Sequence, residues 1–171
     1  MADLIQEPDK IARLAEKREA ENIKFREFLK WRLDWSDHRL DALIHEVAGW
    51  VSEQIDCTAC ANCCRTQSVG MDDTDIERLS DRLGISPQDF ESRYVSRNDW
   101  SQVVISQTPC PFLYGCLCSV YEDRPTDCRE YPHLLKAGMR SRSLDLIANA
   151  SYCPIVFNTL EMLKHKLSWR I

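Results

Sequence analysis

Glycine is scarce in this chain, with five in 171 residues, and none falls in G-x-G-x-x-G, a phosphate-cradling P-loop or a G-x-S-x-G elbow. Those motifs need glycine because the backbone must approach a phosphate closely or turn with positive φ. A Gly-rich nucleotide or S-adenosylmethionine site is therefore not expected, and the radical C-x3-C-x2-C spacing is also missing. Long apolar runs are lacking too: no window approaches the ~18 uncharged apolar residues of a membrane span. The stretch from Met1 to Pro8 has no basic patch followed by an apolar run, so neither a leader nor a membrane anchor is expected, and the reading is a cytoplasmic protein. Excess positive charge is lacking as well. With 22 Lys and Arg against 27 Asp and Glu the net charge is −5, which argues against a phosphate backbone as partner. The remaining composition, 44% apolar and 29% charged, is that of an ordinary soluble domain able to bury a core.

Cysteine, by contrast, is abundant. Nine occur, and four of them crowd into Cys57-Thr58-Ala59-Cys60-Ala61-Asn62-Cys63-Cys64. An odd count without an export signal speaks against a disulfide frame and for metal-binding or catalytic thiols. A C-x2-C loop lets two thiolates approach one cation while backbone N–H groups turn toward the sulfurs, in zinc sites and iron–sulfur sites alike. Cys57, Cys60 and Cys63 give C-x2-C-x2-C, but Cys64 follows at once, and adjacent cysteines cannot easily aim both sulfurs at one tetrahedral ion. Either the pair serves different metals or one member is a supporting thiol.

Along the chain, the residues from Asp9 to about Arg32 have helical spacing, with an apolar stripe that thins between Arg18 and Asn22, so the first turns are expected to project. After N-cap types around Asp34–His38, a second helix is expected from Leu40, Leu43, Ile44, Val47, Val51 and Ile55, ending near Asp56 and delivering the chain into Cys57. Val69 and Met71 suggest a short strand. Thr74-Asp75-Ile76-Glu77 reads as a capping box with Gly84 ending that helix, and Ser86-Pro87 opens the next, their acidic residues read as caps and solvated faces. A β-prone region from Val103 to Tyr121 predicts a hairpin with a Tyr114-Gly115 turn and with Cys116 and Cys118 on one face. A closing helix follows Cys153-Pro154.

Taken together, Cys57-x2-Cys60-x2-Cys63-Cys64-Arg65, Cys110-Pro111-Phe112-Leu113, Cys118-Ser119-Val120-Tyr121-x2-Arg124-Pro125-x2-Cys128-Arg129-x-Tyr131-Pro132 and the late Cys153-Pro154 resemble the YkgJ-type family of CxxCxxCC proteins, described by zinc or iron chelation. The resemblance implies that Cys57, Cys60, Cys63, Cys64, Cys110, Cys118, Cys128 and Cys153 are the metal-associated set. Two departures stand out: Ala61 occupies a usual glycine position, suggesting a backbone that needs no positive φ there, and Cys116 is an additional thiol. Eight thiolates suffice for two four-thiolate sites, or for one cluster with supporting thiols. Zinc suits irregular, loop-spanning cysteine pairs, whereas the triple run and the Cys-Pro steps at Cys110 and Cys153 favour an iron–sulfur cluster. The expected fold is mainly helical α+β, a single domain in which an N-terminal helical hairpin, a small β-hairpin and Cys-rich loops converge on a metal site. Residues 1–38 are expected to be an N-terminal helix and extension, and 39–171 the CxxCxxCC metal-chelating domain. The expected function is a metal-binding protein holding an iron–sulfur cluster or zinc, in a redox, metal-handling or scaffold role. Its partners are then the metal ion or cluster, with a protein partner through the N-terminal helix a further expectation. The alternative, implied by relatives that include flagellin lysine N-methylase, is a cluster-dependent enzyme, a protein lysine N-methyltransferase-like or oxidoreductase activity.

Overall fold

The computed structural model describes residues 4–170, so residues 1–3 and 171, at the ends of the expected 1–38 and 39–171 segments, lie outside them. The fold is mainly helical α+β, and the chain divides into two compact units, Met1–Cys60 with Pro132–Ile171, and Ala61–Tyr131.

The first unit is helical among its described residues. Helix α1 (Pro8–Lys17) carries proline in its first turn, where a missing N–H costs nothing. It is followed by α2 (Glu19–Glu27), a π-helical turn (Phe28–Arg32), α3 (Asp37–Gln54), the single turn α4 (Cys57–Cys60) and, after the second unit, α9 (Ser143–Asn149) and α10 (Pro154–Lys166). The predicted break lies where expected: the Ser36 hydroxyl accepts from the Arg39 N–H and caps α3. Leu40, Ile44, Val47 and Val51 form its buried stripe, and α10 packs along α3 with Val156, Leu160 and Leu163 fully buried. The first turns of α1 do not project as expected. Ile11 and Ala15 are buried and α1 packs on α10, because the stripe that thins after Arg18 is restored by polar contacts. The Arg18 guanidinium bonds Glu161 at 2.5 Å, and Lys164, only 5% exposed, donates to Glu21, Asn22 and Glu161 at 2.9, 2.6 and 2.7 Å.

Within the second unit, α5 (Asn62–Thr66), α6 (Asp73–Leu83), α7 (Pro87–Tyr94) and α8 (Thr126–Glu130) combine with two antiparallel strand pairs. Strand β1 (Val95–Arg97) pairs with β2 (Val103–Ile105), and β3 (Leu113–Tyr114) with β4 (Leu117–Cys118). The single hairpin expected across Val103–Tyr121 is therefore two separate pairings, since β2 finds its partner in the residues that leave α7. The expected strand at Val69–Met71 is a single bridge, Gly70 to Val104. Helix α6 begins two residues earlier than predicted: Asp72 is the N-cap and Asp75 closes the capping box, with Gly84 ending the helix in the left-handed conformation. Met71, Ile76, Leu79, Phe90, Ile105, Phe112 and Val120 form the core of this unit, and Phe90, Tyr94 and Phe112 stack in its centre.

Candidate metal centre

In Ala61–Tyr131, four of the predicted thiols come from four different segments. Cys64 lies on α5, whose entry at Ala61 has φ +51°, the left-handed region. Alanine there suggests a backbone with no need of positive φ, but the position has the backbone conformation of a glycine while carrying a methyl group. The carbonyl of Cys64 accepts the Cys110 N–H at 2.8 Å, and the Cys110 carbonyl accepts the Leu113 N–H at 3.0 Å, which ties α5 to the start of β3. Leu113 and Cys118 are opposite each other in the β3–β4 register, half-buried, while Tyr114 and Leu117 form the exposed pair. The turn is Gly115-Cys116, with Gly115 at φ +63°, not Tyr114-Gly115. Cys116 thus sits exposed at the tip rather than sharing a strand face with Cys118, and its sulfur accepts from Arg65 Nη2 at 3.1 Å. Cys128, on α8, completes the group.

The charges of these thiols act on one another. Burial pushes the Cys128 thiol up to about 12, and negative charge on Cys64, Cys110, Cys118 and Asp127 pushes it the same way. Burial likewise raises Cys110, opposed by the Phe112 N–H and reinforced by Cys64 and Cys118; burial also raises Cys118, reinforced by Cys64 and opposed by the Val120 N–H and Arg124. Cys64 is the exception. A hydrogen bond from the Cys63 thiol, with help from the Arg65 charge, outweighs its burial and lowers it to about 6. Among the described residues no three Cys, His, Asp or Glu side chains are drawn in tightly enough to form an ion's shell. The two observations are compatible, because charge acts over distances well beyond the ~2.3 Å of a zinc–sulfur bond. By donor chemistry the set fits: soft sulfurs that each oppose the ionisation of the others are what a thiophilic cation relieves.

Of the other predicted thiols, Cys63 precedes Cys64 on α5 and donates to it, while the remaining three belong to the helical unit. Cys57 and Cys60 belong to the helical unit, one turn apart on α4, where the Asp56 carboxylate accepts from the Thr58 N–H and hydroxyl at 2.8 and 2.7 Å. Cys153 is buried at the N-cap of α10 in the same unit, and His133, also there, has φ +59°. Tyr121 is exposed beneath the Arg124 guanidinium, 3.8 Å from its ring centre. Sequence reading missed Asp75 and Arg78. Asp75 is 2% exposed, not a solvated cap, and accepts the Thr126 N–H and hydroxyl at 3.1 Å each. Its capping-box position is visible in the sequence, but no local signal marks its burial.

The chain belongs to the CxxCxxCC family, "Putative zinc- or iron-chelating domain", whose model matches residues 56–154, more than half of the sequence. No curated protein and no solved structure matches it. No helix among the described residues is long and apolar enough to cross a membrane.

Proposed function

We propose that this is a metal-binding protein in which Cys64, Cys110, Cys118 and Cys128 hold zinc or the iron of an iron–sulfur cluster, in a redox, metal-handling or scaffold role. The observation that carries this reading is that the Cys64–Cys110 backbone bond and the Leu113–Cys118 register draw three thiol-bearing segments together, with Cys128 feeling the charge of all three. Cys57, Cys60, Cys63 and Cys153 are the further metal-associated thiols of the family pattern. Within the four, Cys64 is the sulfur already poised as thiolate, because Cys63 donates to it and Arg65 stands beside it. Cys110, Cys118 and Cys128 keep their protons until a cation arrives. When bound, the metal supplies the positive charge that stabilises the three new thiolates, and cluster iron adds one-electron redox capacity. Arg124 and Arg65 temper the remaining negative charge, as the groups around a thiolate site do. Binding therefore releases protons, and affinity falls as pH falls: each raised thiol favours the proton-loaded, metal-free state more strongly in acid.

The test is metal and acid-labile sulfide analysis, with a visible spectrum, on protein purified without oxygen. Iron with sulfide and brown colour assigns a cluster; colourless protein with stoichiometric zinc assigns a zinc site. Protein that retains neither, and takes up neither on reconstitution, overturns the proposal.

A further inference from the structure

The segment that leads into Cys128 is held in place by two residues of α6. Arg78 Nη2 bonds Asp75 at 2.5 Å and the Arg124 carbonyl at 3.0 Å, while its Nε bonds the Asp123 carbonyl at 3.2 Å. Asp75 Oδ1 in turn accepts both the N–H and the hydroxyl of Thr126, the first residue of α8. The pair thus fastens residues 123, 124 and 126, which lie between Cys118 and Cys128. Asp127 of α8 also lies against Gly70, where an added Cβ would come 3.0 Å from its Oδ2. Burial by itself would raise the Asp75 pKa, but Arg78, the Thr126 and Asp72 N–H groups and the Thr126 hydroxyl outweigh it and hold the carboxyl below its usual range. It is an anion at neutral pH, matched to the guanidinium.

We propose that Asp75 and Arg78 are positioning residues of the thiol site, which clamp the 123–126 segment so that Cys128 can join Cys64, Cys110 and Cys118 on one metal. The inference rests on the metal-binding reading above. It assigns a role in metal affinity to a helix that carries no ligand, through hydrogen bonds that orient ligands rather than touch the metal.

Cobalt(II) is the probe, because its sulfur-to-metal charge-transfer absorption scales with the number of bound thiolates. The full chain is titrated with Co2+, and zinc affinity is measured by competition. In Asp75→Ala the expected result is a ten- to hundredfold loss of affinity, about that of removing an outer-shell partner, and loss of the share of charge-transfer intensity due to one sulfur of four. Asp75→Asn, which keeps an acceptor for Thr126, is expected to recover most of the intensity; Arg78→Lys, which cannot reach three acceptors, is not. These milder variants decide the matter if Asp75→Ala fails to fold. Leu79→Ala, a core truncation on the same helix, is expected to lower the urea midpoint while keeping the full cobalt spectrum. The proposal is overturned if Asp75 and Arg78 variants that fold bind Co2+ with wild-type affinity and intensity, or if Leu79→Ala loses both to the same extent. Wild-type protein that binds no metal through thiolates would instead overturn the proposed function, and this inference with it.

Discussion

The two units solve the problem of stability by different means. In Met1–Cys60 with Pro132–Ile171, long helical faces meet: Leu40, Ile44, Val47 and Val51 of α3 are buried in the same core as Val156, Leu160 and Leu163 of α10. Buried charges in it are paired. Lys164 has three acceptors, and Asp41 accepts the N–H groups of Gly138 and Met139 at 2.7 and 2.9 Å. In Ala61–Tyr131 the core is seven buried apolar residues, the strands are two or three residues long, and burial and neighbouring charge oppose the ionisation of Cys110, Cys118 and Cys128. A core that small gives limited stability without a staple, whether disulfide or metal. On the proposed function, the helical unit carries in its own side chains what the thiol-bearing unit leaves for a cation to supply.

The strongest challenge to that contrast is metal removal. Chelation of the reconstituted protein is expected to release backbone amides of residues 61–131 to rapid hydrogen exchange, while amides of α3 and α10 stay protected. Structural zinc contributes on the order of 10 kcal/mol in small thiolate domains, so the effect on exchange is many orders of magnitude. Exchange resolved by mass spectrometry reads both units in one experiment. Equal loss of protection in α3 and α10 would break the comparison, since it would make the helical unit metal-dependent as well.

A smaller effect is expected from the converse change. Lys164→Ala leaves the Glu21 and Asn22 side chains without the ammonium they face, and removing one partner of a buried ionic group costs about 3–5 kcal/mol. Urea unfolding followed through the helical signal is expected to show that loss, with cobalt affinity within about twofold of wild type, as for sites that share no contacts. A matching fall in metal affinity would mean that the two units do not act independently.

How far each unit could be read from the sequence follows the same division. The helices α3 and α10 were legible because their stripes repeat at helical spacing, and Ser36, Ser86 and Pro154 announce starts through purely local chemistry. The pairing of Val95–Arg97 with Val103–Ile105 was not, because a three-residue strand carries too little pattern to name its partner. The thiol set was legible as a set, since no packing need explains Cys57 to Cys64. Which of its members share a neighbourhood depends on the Cys64–Cys110 backbone bond and the Leu113–Cys118 register, both products of tertiary structure. Asp75 shows the limit most plainly: the same carboxylate that closes a capping box also bonds Thr126, fifty-one residues away.

Ala61 yields the smallest and most discriminating prediction. At φ +51° and ψ 17° a residue with a Cβ pays about 1 kcal/mol relative to the right-handed region, which glycine would recover. Glycine, however, frees the unfolded chain by about 0.5–1 kcal/mol and loses a methyl group that is buried here. The terms nearly cancel, so Ala61→Gly is expected to change stability by less than about 1 kcal/mol and to leave the cobalt spectrum intact. Ala61→Val keeps the burial but places a β-branched side chain in the left-handed region, where such residues are genuine outliers. It is expected to lower the urea midpoint clearly and to weaken metal binding, because a shifted backbone at residue 61 carries Cys63 and Cys64 with it. If valine is tolerated as well as glycine, then the left-handed turn does not fix the position of Cys64, and the thiol-bearing unit is less dependent on loop geometry than the comparison with the helical unit requires.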